Sequence, residues 1–324
     1  MLFMNALVPS KPSFPIKVGS KGKHVKFIQS KLGLVQDGIF GPQTKFEVME
    51  FQKKKGLTID GIVGPNTWAV LETMPNFKEE DLDSSRSYSL FDQYNLDDDE
   101  YLIGQSRPEY IFFHHTAGWE DPYKVIRNWN NDARGRIGTE FVIGGQSIYN
   151  NNNTHDGVIV RCMEDSGWAY HLGKVKSSHM HKNSVGIEVC NFGQLTEGGY
   201  KNREGLWVQK TPGKFYTYAG QQVNENQIFD LGYEWRGYRY WHNYSDAQID
   251  ALYNLTKYLS HKYEIDLTEG LQALMKEFGD VESFDYYEDA CTGKIKGVLT
   301  HSNVRKTKTD MYPHPKLIQM IKSL

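Results

Sequence analysis

Three short apolar runs between residues 110 and 300 end in side chains able to bind a metal ion or move a proton. Tyr110-Ile111-Phe112-Phe113 runs into His114-His115, Gly297-Val298-Leu299-Thr300 into His301, and Ser184-Val185-Gly186-Ile187 into Glu188. Lys308 and Asp310 follow a few residues after His301. A catalytic zinc takes three protein ligands from His, Asp, Glu or Cys and keeps one position open. One histidine of the 114–115 pair, His301 and Asp310 make such a set. Glu188 is then left as a non-ligand carboxylate and Lys308 as a nearby cation. Zinc acidifies water toward neutral pH, so a carboxylate can take the proton as the water attacks an amide. A cation beside the resulting oxyanion lowers the barrier further. Spacing alone does not select among the chain's 11 histidines. His24, His261 and His314 read as surface residues, and His155, His179, His181 and His242 as residues of polar loops.

Such side chains have to be held by strands. The residues before His114 form a buried-strand pattern, with both histidines at its mouth. In 184–191, Val185, Ile187 and Val189 face one way and Glu188 the other. A helix is expected after Ser245, which with Gln248 makes a capping box. Ile249, Leu252, Leu255 and Leu259 give that helix one apolar stripe to lay on the sheet. Two segments interrupt the pattern. Residues 194–242 hold eleven aromatics that either line the rim of a groove or form a small satellite core holding the loop down, with Trp207 and Trp235 expected to be exposed at that rim. Residues 266–296 combine a short helical pattern with an acidic, Tyr-bearing loop.

The first part of the chain is organised by an internal repeat. Gln36-Asp37-Gly38-Ile39-Phe40-Gly41-Pro42-Gln43-Thr44 recurs as Ile59-Asp60-Gly61-Ile62-Val63-Gly64-Pro65-Asn66-Thr67. Each copy pairs a turn-forming Asp-Gly with a Gly-Pro step that starts a helix. Val25, Ile28 and Leu32 share one helical face, Thr44, Val48 and Phe51 a second, and Trp68 and Leu71 begin a third. Three short helices are expected over 14–76. Residues 1–76 carry ten Lys against five acids, whereas 77–105 carries nine acids against Lys78 and Arg86, so a solvated acidic linker is expected there. Net charge is −3, which gives no reason to expect nucleic acid as a partner. Met1–Pro9 lack the basic start and apolar run of a signal peptide, and no stretch of about 20 apolar residues exists to span a membrane. Cys162, Cys190 and Cys291 are too few and too widely spaced for a disulfide framework, which fits a protein made in a reducing cytoplasm.

The string GKHVKFIQSKLGL…DGIFGPQTKFEVMEFQKKKGL…DGIVGPNTW resembles the peptidoglycan-binding domain found beside wall hydrolases, over roughly 16–73. The order IFFHHTAG, W-x-x-HLG, NSVGIEVCNFG, YSDAQIDAL and GVLTHSNV…KTD resembles the zinc amidases of the N-acetylmuramoyl-L-alanine amidase type 2 class, over about 107–320. That class shares its fold with peptidoglycan recognition proteins and amidase-type phage lysozymes. The resemblance implies a mixed α/β (α+β) catalytic domain over 106–324, with insertions at 194–242 and 266–296. A central mixed sheet flanked by helices would carry a zinc site at its strand ends, behind the small all-α domain. It implies His114, His301 and Asp310 as zinc ligands, Glu188 as general base and Lys308 as the cation that stabilises the transition state. His115 and His171 would contact substrate, His171 through its match to a Trp-His-Ala-Gly segment lining the groove. Where some relatives place a catalytic tyrosine this chain has Thr139, which leaves the base role to Glu188 alone. The implied reaction is hydrolysis of the amide between N-acetylmuramic acid and L-alanine of the stem peptide. The implied partner is peptidoglycan and the implied role that of a phage endolysin, held in the host cytoplasm until lysis, with no membrane insertion. A bacterial autolysin or recycling amidase, or a non-catalytic recognition protein, is the alternative.

Overall fold

A computed structural model describes residues 11–32, 34, 36, 38–74, 90–105, 107–149, 152–176 and 179–324. The chain divides into two compact units, Met1–Phe91 and Asp92–Leu324. The first holds α1 (Lys23–Leu32), α2 (Pro42–Lys54) and α3 (Pro65–Thr73). Ile16, Val25, Ile28, Phe40, Val48, Phe51, Val63, Trp68 and Leu71 form its core, so the three expected apolar faces meet one another. The sequence repeat is also a repeat of bonding. Gln29 Oε1 accepts the N–H of Gly38 at 2.9 Å while its Nε2 donates to the Ile39 carbonyl at 3.0 Å. In the second copy Gln52 does the same to Gly61 and Ile62, both at 2.9 Å. Both glutamines are buried, and both turn glycines have positive φ, 77° and 67°. An Asp-Gly turn needs that left-handed backbone, and a buried amide pins each copy from inside.

From Asp92 the second unit runs β1 (Asp92–Gln93), β2 (Leu102–Ile103), β3 (Tyr110–His115), α4 (Pro122–Trp129), β4 (Phe141–Ile143), β5 (Ile159–Arg161), β6 (Gly167–Trp168), α5 (His179–Lys182) and β7 (Ser184–Val189). There follow β8 (Gln194–Glu197), β9 (Gly199–Lys201), β10 (Trp207–Gln209), β11 (Phe215–Tyr216), β12 (Ile228–Trp235) and β13 (Tyr238–His242). The chain ends with α6 (Asp246–Tyr263), α7 (Leu271–Phe278), α8 (Glu288–Cys291), β14 (Gly297–Thr300), α9 (His301–Val304) and α10 (Pro315–Ser323). The main sheet has the order β1-β5-β4-β7-β3-β14, parallel throughout except between β4 and β5. All six residues of β3 are buried, as expected of a parallel strand covered on both faces. Tyr110 and Phe112 pack on one side with Leu172, Met180, Leu274 and Leu299.

Part of the acidic stretch is structured. Residues 77–89 and Met1–Ser10 lie outside the described residues. From Asp92, however, β1 pairs with β5 and β2 with β6, while Leu96 and Tyr101 enter the core of the second unit. Asp97–Glu100 is the turn between these two anchors, and Glu100 accepts the N–H of Arg136 at 2.8 Å. The charge run masked the two buried apolar residues on either side of it.

The helix after Ser245 has its capping box and lays Leu252, Leu255 and Leu259 inward, with Ile249 half-buried. The segment 194–242 folds into a sheet of order β11-β8-β13-β12 plus the β9–β10 hairpin. Its aromatics divide. Trp241 stacks on Tyr312 with ring centres 4.5 Å apart, and Trp235 lies 5.6 Å from Trp241. Trp235 is therefore buried, contrary to its expected place on a rim, whereas Trp207 is 48% exposed. The three cysteines are free and buried, and no helix among the described residues is long and apolar enough to cross a membrane.

Candidate metal centre

The ends of β3, β7 and β14 form one edge of the sheet, because parallel neighbours end together. His114 pairs in register with Glu188, and Thr300 with Phe113. At Thr300 the strand turns directly into α9. The Thr300 N–H donates to Asn303 Oδ1 at 2.8 Å, and Asn303 Nδ2 donates to the carbonyls of Ser283 and Asp285 at 2.7 and 2.8 Å. His301 is thus fixed at the first position after the strand. The loop that returns to Asp310 is held from the inserted sheet. Arg236 donates to the carbonyls of Ser302 (3.2 Å), Arg305 (3.3 Å), Lys306 (3.0 Å) and Lys308, and Thr309 donates to Gln194 Oε1 at 3.0 Å.

His114 Nδ1, His301 Nδ1 and Asp310 Oδ2 converge. The two ring nitrogens are 3.1 Å apart, and the carboxylate oxygen lies 3.6 Å from His114 and 3.0 Å from His301. A tetrahedral ion with bonds of about 2.0–2.1 Å needs donors roughly 3.3 Å apart, so these edges fit one zinc. His301 Nε2 donates to the Leu172 carbonyl at 3.2 Å, which turns the Nδ1 lone pair toward the other two atoms. All three residues are buried. Burial holds His114 down to about 4, so its ring is neutral at neutral pH. Burial also opposes the Asp310 charge, but the two imidazoles outweigh it and keep the carboxyl well below its usual value. Two imidazole nitrogens and one carboxylate at this separation suit a divalent cation.

Glu188 is partly exposed on β7, beside His114, and its carboxylate makes no hydrogen bond or ion pair among the described residues. Burial pushes its carboxyl up to about 8; the Asp310 charge adds to the shift and Lys308 opposes it. Lys308, also partly exposed, is the cation whose charge reaches His114 and Glu188. Thr139 is buried, and its hydroxyl donates to the Phe141 carbonyl at 2.9 Å, so it offers the site no acid or base.

The other expected site residues face inward. His115 points to the opposite face of β3 from His114, is 5% exposed, and is held near 4 by burial. His171 is partly exposed, but its Nδ1 lies 3.0 Å from His114 Nε2 and its Nε2 2.8 Å from Ser184 Oγ. Three histidines read as surface or loop residues are buried. His314 caps α10 by accepting the Lys316 N–H at 3.1 Å, and His242 accepts the Phe192 N–H at 3.2 Å. His181 accepts the Leu172 N–H at 3.5 Å and donates to the Gly173 carbonyl at 3.0 Å, bracing the His171 loop. Arg236 has no sequence signal: it sits at φ 50° in a hairpin far along the chain from the loop it binds.

A model of the family described as N-acetylmuramoyl-L-alanine amidase matches residues 104–315, and one for a peptidoglycan binding domain matches residues 23–71. No curated protein matches the chain. Among solved structures, similarity is found to a fused Zn-dependent amidase/peptidase/peptidoglycan-binding domain-containing protein from Clostridium acetobutylicum, with 38% identity and TM-score 0.19. That match covers 19% of this chain and 31% of the other, so the chain spans about a third of that relative. Similarity to the amidase LysC from Clostridium intestinale covers 72% of this chain and 95% of that one, with 15% identity and TM-score 0.35. The amidase AmiD from E. coli, solved with a muramyl peptide, matches at 17% identity over 50% of this chain and 47% of its own, with TM-score 0.28. The amidase match spans about two thirds of the sequence and includes His114, His301 and Asp310, so the chain belongs to the N-acetylmuramoyl-L-alanine amidase family, with a peptidoglycan-binding domain preceding the amidase domain.

Proposed function

We propose that this chain is a zinc-dependent amidase that hydrolyses the bond between the lactyl group of N-acetylmuramic acid and L-alanine of the peptidoglycan stem peptide. The observation that carries this reading is the convergence of His114 Nδ1, His301 Nδ1 and Asp310 Oδ2 at 3.0–3.6 Å, next to an unpaired Glu188. These three residues would hold the zinc. When bound, zinc supplies a Lewis acid that acidifies water and offsets negative charge developing on the amide oxygen. Glu188 in its ionised form takes the proton of the attacking water and returns it to the leaving amide nitrogen; the Lys308 charge favours that ionised form against the burial that opposes it. Lys308 presents positive charge to the oxyanion.

Residues 14–76 are the wall-binding domain in this reading, 77–91 the connector and 92–324 the catalytic domain. The domain pairing and the buried free thiols support a lysis enzyme of the phage endolysin kind, made in a reducing cytoplasm and acting on the wall. Mass spectrometry of digested peptidoglycan tests the reaction. Free stem peptides beginning with L-Ala are expected; new termini within the peptide, or new reducing sugar ends, would overturn it.

A further inference from the structure

His171 comes from a loop between β6 and α5, yet its ring is built into the interior of the site. Its Nδ1 is 3.0 Å from His114 Nε2 and its Nε2 is 2.8 Å from Ser184 Oγ. Ser184 Oγ lies 2.5 Å from the carbonyl of Met180. These contacts fix the position of each hydrogen in turn. A carbonyl only accepts, so the Ser184 hydroxyl donates to Met180. Having one hydrogen, that hydroxyl must accept from His171, which therefore carries its hydrogen on Nε2. In the neutral ring Nδ1 is then a bare lone pair, and it can only accept from His114 Nε2–H. His114 is left with its Nδ1 lone pair toward His301 and Asp310.

We infer that His171 and Ser184 are positioning residues that set the tautomer and ring orientation of His114 through one directed hydrogen-bond chain ending on the Met180 carbonyl. The inference rests on the reading of His114 as a zinc ligand. It replaces the expected substrate contact of His171 with a role behind the metal. A metal-bound histidine needs an acceptor for its outer N–H, and that acceptor is usually a carboxylate or a carbonyl. Here it is a second imidazole, which meets the first edge-on with ring centres 5.1 Å apart. The backbone makes room for it. A Cβ on Gly186 would come within 3.1 Å of His171 Nδ1 and 2.7 Å of the Thr139 methyl, so a bare glycine on β7 leaves the ring its place. On the far side His181 holds the loop through Leu172 and Gly173.

The test uses the full-length chain with zinc as the only ligand, and reads ring nitrogens and metal affinity rather than turnover. In the metal-free protein, ¹⁵N NMR is expected to place hydrogen on Nε2 of both His114 and His171. Zinc affinity is then measured by chelator competition. His171→Phe and Ser184→Ala are each expected to weaken zinc binding by roughly 10–100-fold, whereas His171→Asn, whose amide oxygen can replace the accepting Nδ1, stays close to wild type. Ser184→Ala keeps the experiment decisive if His171→Phe does not fold. Hydrogen on Nδ1 of His114, or unchanged zinc affinity in both disruptive variants, would overturn the inference. A wild-type chain that shows the expected tautomers yet binds no zinc would overturn the metal reading while supporting the chain of hydrogen bonds.

Discussion

His115 accepts the backbone N–H of Met311 through Nδ1 at 3.2 Å, so the residue after one proposed ligand holds the residue after another. Met311 is a non-glycine residue at φ 57°, a left-handed conformation that survives only when its surroundings hold it. The Tyr244 hydroxyl lies 3.2 Å from the same nitrogen and 3.5 Å from the Met311 sulfur. With its Nδ1 so engaged and its ring turned to the other face of β3, His115 is a clasp for the Asp310 loop.

Removing that clasp should cost stability. We expect His115→Ala to destabilise the protein by roughly 2–4 kcal/mol, since it leaves a buried donor unpaired and a strained residue unheld. His115→Asn, which keeps an acceptor near the Nδ1 position, should recover part of that loss in denaturant melts. Equal stability of wild type and His115→Ala would remove the clasp role.

Acid should unfold the amidase unit by way of its buried histidines. Burial holds His242 near 3 and His314 near 4, while an unfolded chain binds protons near 6.5. Between these values the unfolded state binds more protons, so stability is full above about pH 6.5 and falls as pH drops toward about 3. His314→Asn should lessen the slope between about pH 6.5 and 4 in metal-free protein, leaving the part below to His242. A melting temperature independent of pH over that window would contradict the assignment.

Proposed ligands should separate from the proposed base and oxyanion cation by metal content. His301→Ala and Asp310→Ala are expected to lose zinc and activity together. Glu188→Gln and Lys308→Ala should retain zinc and fold while turnover falls by roughly 10²-fold or more. Elemental analysis beside a turnover assay distinguishes the two groups, and full zinc occupancy in Asp310→Ala would show the ligand set to be wrong.

Arg236 should matter for metal binding although it touches no ligand side chain. Arg236→Ala is expected to weaken zinc by about tenfold or more, as loss of a supporting partner does. Arg236→Lys should restore little, because a point charge cannot span four carbonyls as a planar guanidinium does. Thermal shifts with and without zinc would separate this loss from general destabilisation.

Wall binding should reside in the first unit. Residues 1–76 alone are expected to sediment with purified walls, and a chain beginning near residue 92 should cleave soluble fragments without them. Equal sedimentation of the truncated chain would leave the module without that role.

The parts of this molecule that follow local rules were legible in the sequence. The two Asp-Gly turns, the capping box at Ser245 and the three strand ends declare themselves through residue types at fixed offsets. Pairing His114 with His301 and Asp310 required family resemblance, because separations of 187 and 196 residues carry no spacing signal. What stayed hidden was long-range and polar. His242 and His181 are held by backbone groups 50 and 8 residues away, and His314 caps the helix it precedes, contacts that no apolar periodicity announces. Trp235 is buried because Trp241 and Tyr312 meet it across elements distant in sequence.

The return loop from His301 to Asp310 is fastened at Arg236 and Gln194 from one inserted segment and, through Asn303, at Ser283 and Asp285 from the other. A coordination sphere is only as fixed as its most mobile member, and a freed loop must be ordered again each time an ion is captured. Excising 194–242 would leave the three proposed ligand side chains and the main-sheet strands in the sequence, yet the shortened chain would meet an ion with one wandering carboxylate.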